Sequence, residues 1–218
     1  MIITSLAPSH KNKENQLKAI ESWKKHDTKI ISVNHISEIK QLEKEYNVEF
    51  IEPEKTGFDL FRKHYVPASE LLKVIKKEGS GLIINSDIII KDLPKFGDNP
   101  IIFNRYDFTD SMDRAAFFRS GFDAFYLKAE HCDLPETRLC LGQCHWDYWL
   151  PIMLMQKGFK IEKSVKPHIY HKKHELQYSM FNWKLTAKIF GDETGIKGSE
   201  QSISHKAFSH ITGRLINI

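Results

Sequence analysis

The chain has 218 residues, 41% hydrophobic and 28% charged, the balance of a globular domain long enough to bury a full core. No apolar run approaches the ~18–20 residues of a membrane-spanning helix, and the opening Met1-Ile2-Ile3-Thr4-Ser5 has no basic leader, so a cytoplasmic protein is expected. The net charge of +4 comes from lysines spread along helices and does not single out a nucleic-acid partner, while three cysteines without a secretion signal argue for reduced thiols.

In chain order, residues 2–6 read as a short apolar strand broken by Ala7-Pro8-Ser9. A helix is expected over 12–25, with Leu17, Ile20 and Trp23 on one face. A β-branched strand over 29–33, a helix over 37–46 and a strand over 48–51 follow. This β-α-β-α-β rhythm predicts parallel strands, right-handed crossovers and a ligand at the carboxyl ends of the strands. Residues 52–65 read as a long loop, and a helix over 68–78 stops at Gly79. Strands are expected at 82–84, 88–90, 101–103 and 122–127, with 107–121 as a surface excursion. A helix over 147–157 carries Pro151 in its first turn. Residues 160–163 and 166–171 are extended, 179–190 form a surface helix, and 199–218 a basic tail. No linker divides the chain. The expected organisation is one domain over 1–178, with halves 1–90 and 91–178, and a packed C-terminal segment over 179–218.

The most informative stretch is Gly81-Leu82-Ile83-Ile84-Asn85-Ser86-Asp87-Ile88-Ile89-Ile90. A polar triplet interrupts an apolar strand, and a lone buried carboxylate costs several kcal/mol or shifts its pKa. Asp87 therefore either meets a cation or ligand at the strand end or bonds backbone in a turn. Asp147, between Trp146 and Tyr148, is either a helix cap or a general base for an acceptor hydroxyl. His168, His171 and His174 lie in one segment. If residues 168–171 are extended, His168 and His171 point to opposite faces, so a single imidazole is available to a carboxylate-bound cation. His131, Cys132, Cys140, Cys144 and His145 hold enough ligands for zinc, but no Cys-x-x-Cys pair is present and their apolar neighbours suit buried thiols. The phosphate loop, Gly-x-Gly-x-x-Gly, Gly-x-Ser-x-Gly and His-Glu-x-x-His patterns are absent.

Four segments together resemble the glycosyltransferases of the GT-A fold, in their family-2-like group. They are Ile3-Thr4-Ser5-Leu6-Ala7-Pro8-Ser9, Gly81 to Asp87, Cys140 to Pro151, and Ile169-Tyr170-His171, within roughly residues 1–175. The resemblance implies a single GT-A domain with a mostly parallel central sheet flanked by helices. It implies an enzyme that moves a hexose or pentose from a nucleotide-diphosphate sugar, UDP-type, to a hydroxyl with inversion. Asp147 would be the base. Thr4, Ser5, Pro8, Asn34, Lys63, Asn85 and Ser86 would hold the donor. Asp87 and His171 would bind Mn2+, or Mg2+, and Trp146 and Trp149 would stack on the acceptor. The sequence departs from the family at Asn85, where the family carries the first Asp of its Asp-x-Asp motif, so Asn85 would bond the ribose and Asp87 would be the one acid of the motif on the cation. The acceptor, whether glycan, lipid-linked sugar, protein or modified nucleobase, is left open. The competing readings are a sugar nucleotidyltransferase, against which the glycine-free stretch 6–13 counts, and a non-catalytic nucleotide- or glycan-binding module.

Overall fold

Alternating strands and helices build the first half of the chain: β1 (Ile2–Thr4), α1 (Lys13–Lys24), β2 (Ile30–Val33), α2 (Ile36–Leu42), β3 (Glu49–Ile51), α3 (Phe58–Phe61), α4 (Ala68–Glu78) and β4 (Ser80–Ile84). The four strands are parallel, in the order β4-β1-β2-β3, as the sequence rhythm predicts. The structure is a computed structural model that describes residues 1–8, 13–174 and 179–218. Ser9 and the expected first residue of the first helix, Asn12, lie outside the described residues. The loop expected over 52–65 contains the single turn α3, which ends at Arg62 with φ 53°.

The second half adds β5 (Ile88–Ile90), β6 (Ile101–Phe103), β7 (Tyr106–Phe108), β8 (Ala116–Phe117), β9 (Ala124–Lys128), α5 (Trp146–Gln156), β10 (Glu162–Ser164), β11 (Ile169–Lys172), α6 (Met180–Thr194), α7 (Glu200–Thr212) and β12 (Ile216–Asn217). The main sheet has eight strands, ordered β12-β10-β6-β9-β4-β1-β2-β3. Only β9 runs antiparallel to its neighbours β4 and β6. Because β9 is reversed, the chain enters it at the edge where its neighbours end. The result is a mixed α/β domain with a mostly parallel central sheet flanked by helices.

The period of two in the strands decides which helix covers which face. Ile2, Leu82, Ile84 and Ile30 face Ile20 and Trp23 of α1 and Leu42 of α2. Ile3, Ile31 and Ile83 face Leu71 and Ile75 of α4 and the buried side of α5. Both faces are dry, which is why these strands read as unbroken apolar runs.

Residues 88–90 form a strand separate from β4, as expected, and two other expectations change. The chain turns at Asn85-Ser86-Asp87, and β5 joins a second, four-stranded sheet ordered β5-β11-β7-β8. That sheet also takes β7 and β8 from the stretch read as a surface excursion. The stretch read as a basic tail is α7 followed by edge strand β12, and Ile203, Ala207 and Ile211 of α7 enter the core beside Phe190 of α6. Its polar residues, Lys206 and Arg214 among them, marked it as surface, but Ile203, Ala207 and Ile211 at four-residue spacing form a buried stripe.

Candidate active site

Strand register assembles one end of the site. Asn85-Ser86-Asp87 follows β4 at the sheet's carboxyl edge, and the Ile88 N–H donates to the Asn85 carbonyl at 3.3 Å. In the second sheet His171 pairs with Ile88 on one side and with Asp107 on the other. One residue from Ile88, the Asp87 Oδ2 therefore lies 3.5 Å from His171 Nε2. Past the end of β11, His174 Nε2 lies 2.9 Å from the same oxygen and 3.1 Å from His171 Nε2. The three candidate ligand atoms lie within 4.8 Å of one another. One carboxylate oxygen and two imidazole nitrogens suit a transition-metal cation and fit Mn2+ better than Mg2+, which prefers oxygen alone.

His174 is the candidate ligand that sequence reasoning missed. The signal was the spacing His171-x-x-His174, but the expectation of an extended segment hid it, whereas β11 ends at Lys172, before His174. His168 does point away, with its Nδ1 2.6 Å from Asp92 Oδ1.

Charge reinforces this geometry. Burial pushes the Asp87 carboxyl up, but the two imidazoles outweigh it and hold Asp87 well below the usual carboxylate range. Burial likewise lowers His171, yet the Asp107 and Asp87 carboxylates push it up to about 9. Asp107 Oδ1 lies 3.2 Å from His171 Nδ1, the ring nitrogen turned away from the cluster. A carboxylate in this position would orient His171 were it to ligate a metal. The same Asp107 oxygen accepts a hydrogen bond from Arg105 Nε at 2.8 Å.

Arg105 carries the connection to Asp147. Its Nη1 donates to Asp123 Oδ1 at 2.9 Å, and that oxygen also accepts from Asn85 Nδ2 at 3.1 Å. The neighbouring Phe122 N–H donates to Asp147 Oδ2 at 3.3 Å. Gly121, at φ +105°, is the residue this approach requires, since a Cβ there would lie 3.1 Å from Asp147 Oδ2. Burial, and then the Asp123 charge, push the Asp147 carboxyl up to about 7, against hydrogen bonds from backbone N–H groups and the charge of Arg105.

Asp147 is not the cap of α5. The cap position is His145, at φ 72°, and Asp147 is the second helical residue. Pro151 lies in the second turn rather than the first. It has no N–H to offer the Asp147 carbonyl four residues back.

The other expected site residues divide. Ser5, Pro8 and Ser86 are partly exposed at the carboxyl ends of β1 and β4. Asn85 is held by Asp123, and its buried Oδ1 has no partner among the described residues. Thr4 is fully buried and offers a base no surface. Asn34 is also fully buried. Its amide donates to the Leu6 carbonyl at 2.8 Å and to Glu38 Oε2 at 2.9 Å, and its Oδ1 accepts from the Ser32 hydroxyl at 2.6 Å, so it ties the β1 loop to β2 instead of touching a donor. Lys63 is exposed, 5.9 Å over the Tyr65 ring, and no contact brings it to Asp87. Trp146 and Trp149 are 2% and 0% exposed and belong to the core, so neither has a free face for an acceptor sugar. Apolar positions on a helix buried on nearly all sides explain both.

The cysteine and histidine group does not gather into a metal site among the described residues. Burial pushes the Cys132 thiol up to about 12 and raises Cys140 as well. His145, lowered to about 4 by burial, contacts Thr186 and Ser204 and ties the start of α5 to α6 and α7. Two surface cavities of about 420 and 400 Å3 lie elsewhere, the first lined by α6 and α7 and the second by residues such as Lys55, Leu60 and Arg138.

A scan against protein-family models finds no match, and a search of curated proteins finds none either. Among solved structures, the chain is similar to a putative glucose-1-phosphate thymidylyltransferase from Bacillus anthracis. The match has 9% identity and a TM-score of 0.42, and covers 91% of this chain and 97% of that one. It is also similar to a CTP:phosphocholine cytidylyltransferase from Streptococcus pneumoniae, at 13% identity and a TM-score of 0.38, covering 78% and 91%. Both relatives are nucleotidyltransferases, not glycosyltransferases. Likeness at this level assigns neither family nor activity to the chain.

Proposed function

We propose that the protein is a metal-dependent transferase that uses a nucleotide-diphosphate-linked donor, and that it moves a sugar from that donor to an acceptor hydroxyl. The observation that carries this reading is one unbroken path of contacts. It joins a three-ligand cation cluster at the end of β4 to a carboxyl poised near neutrality at the start of α5.

Asp87, His171 and His174 would hold the cation, and Asp107 fixes the His171 ring through its other nitrogen. When bound, such a cation supplies positive charge against the charge that develops on a departing diphosphate. Ser5, Pro8, Asn85 and Ser86 border the donor side. Asp147 accepts the proton of the attacking hydroxyl, and a pKa of about 7 matches a base working near neutral pH. Attack from the face opposite the leaving diphosphate inverts the anomeric centre. Trp146 and Trp149 shape the core beneath Asp147 and leave acceptor recognition to other side chains.

Nucleotidyl transfer to a sugar phosphate is the second reading. It would use the same cation. It has no need for a near-neutral carboxyl beside the nucleophile, because a phosphate is already ionised at pH 7. Asp147 is the observation that favours glycosyl transfer.

The test is incubation with a panel of sugar nucleotides and Mn2+, following slow donor hydrolysis. In parallel, nucleoside triphosphates are supplied with sugar phosphates, following pyrophosphate. Release of nucleoside diphosphate from one donor, lost in Asp147→Asn, supports glycosyl transfer. Pyrophosphate release with no donor hydrolysis replaces it with nucleotidyl transfer. Neither product would leave a binding module.

A further inference from the structure

We propose that Arg105 is a positioning residue that couples the cation-holding arm of this site to its basic arm; the inference rests on the transfer reaction proposed for the same residues. Arg105 lies in the short connection between β6 and β7. Its fork is filled by two acids that come from different parts of the chain. Nε bonds the Asp107 oxygen that orients His171, and Nη1 bonds the Asp123 oxygen that holds Asn85. The guanidinium also lies 4.1 Å over the Phe118 ring, which fixes its plane.

Each arm depends on this cation. Asp107 and Asp123 are both largely buried, at 11% and 7% side-chain exposure, and they share one guanidinium as counter-charge. Removing it would leave Asp123 without a counter-charge and Asp107 with His171 alone. Asp107 would then hold His171 without its own anchor. Asp123 would act unopposed on Asp147. The charged groups facing Asp147 are Asp123 and Arg105, with opposite effects on its proton affinity. A lysine offers one ammonium in place of a planar fork and cannot bridge both acids in the same way.

The test compares Arg105→Gln, which removes the charge, with Arg105→Lys, which keeps the charge and removes the fork. Mn2+ affinity is measured by electron paramagnetic resonance of the free ion. The Asp147 titration midpoint is read by carbon NMR of labelled aspartate carboxyls, assigned with Asp147→Asn. Arg105→Lys should weaken Mn2+ binding by about tenfold, the usual effect of losing a group that orients a metal ligand. Its Asp147 midpoint should stay near that of the wild type. Arg105→Gln should weaken Mn2+ at least as much and raise the Asp147 midpoint by about half a pH unit or more. If Arg105→Gln does not fold, the loss of Mn2+ affinity in Arg105→Lys decides the matter. Variants that bind Mn2+ as tightly as a Mn2+-binding wild type overturn the coupling alone. A wild type that binds no Mn2+ overturns the cation site itself and the coupling with it.

Discussion

The Asp87 carboxylate lies 2.9 Å from the His174 imidazole across 87 positions of sequence. The contact exists because the chain leaves the main sheet at Asp87, pairs β5 with β11, and ends β11 at Lys172, two residues before His174. A carboxylate and two imidazoles converging on one point form a ligand set, so His174→Ala should weaken Mn2+ binding by at least about tenfold. Thermal stability should stay close to the wild type, since His174 lies outside both apolar cores. Competition against a fluorescent chelator checks the first expectation, and a melting curve checks the second.

Asp147→Asn should lower transfer by about 10²–10⁴-fold, the usual loss of a general base, and leave binding of the nucleoside diphosphate unchanged. It should also make the protein more stable at high pH. The folded-state pKa of about 7 is above the ordinary carboxylate value, so between about pH 4 and 7 the folded protein retains a proton that the unfolded chain has released. Stability therefore falls as pH rises through that window and is level above it. The Asn variant escapes this loss, and at pH 8 its advantage should be on the order of 1–4 kcal/mol, shrinking towards zero near pH 4. Urea unfolding of both proteins at the two pH values measures the difference.

The same carboxyl shapes the rate profile. Only ionised Asp147 accepts a proton, so kcat/KM should rise about tenfold per pH unit up to a midpoint near 7 and then level off. A flat profile between pH 5 and 8 would remove Asp147 from the chemical step.

Gly121→Ala and Gly142→Ala separate backbone strain from interference with the base. Both glycines have positive φ, +105° and +76°, so alanine should cost about 1–3 kcal/mol at either position. Only at residue 121 would the new Cβ approach Asp147 Oδ2, at 3.1 Å, whereas nothing lies within 4 Å at residue 142. Both variants should melt earlier, and only Gly121→Ala should also lower kcat.

The two tryptophans give a negative test. Trp146→Ala should destabilise the fold by about 3–5 kcal/mol, as for other buried large-to-small changes. Trp149→Phe removes an indole N–H that has no partner among the described residues, and it should leave KM for the acceptor unchanged. A raised acceptor KM with unaltered stability would return Trp149 to the acceptor site.

Much of the first half was legible because its strands are buried on both faces and its helices are amphipathic, so local pattern and fold agree. Asp87 was legible for the same reason, as an acid that breaks an apolar run at the carboxyl edge. The second sheet was not, because β7 and β8 are short and the sheet is joined through β11, which pairs with β5 and β7 from far away in sequence. Asp107 and Arg105 are placed by that pairing and Asp123 by the entry to β9, and no local spacing announces them; the signal for His174 was its three-residue step from His171. The tryptophans misled in the opposite direction. An aromatic beside a candidate base reads as a sugar platform, and only burial shows that these two face inward.

Calorimetric titration of UDP into the wild type and Asp87→Ala, each with Mn2+ and with chelator, tests the central claim most directly. The account predicts that Mn2+ tightens UDP binding to the wild type by at least about tenfold, as expected if Asp87, His171 and His174 hold a cation that offsets the diphosphate charge, and that Asp87→Ala loses this gain. Identical wild-type titrations with and without Mn2+ would contradict it.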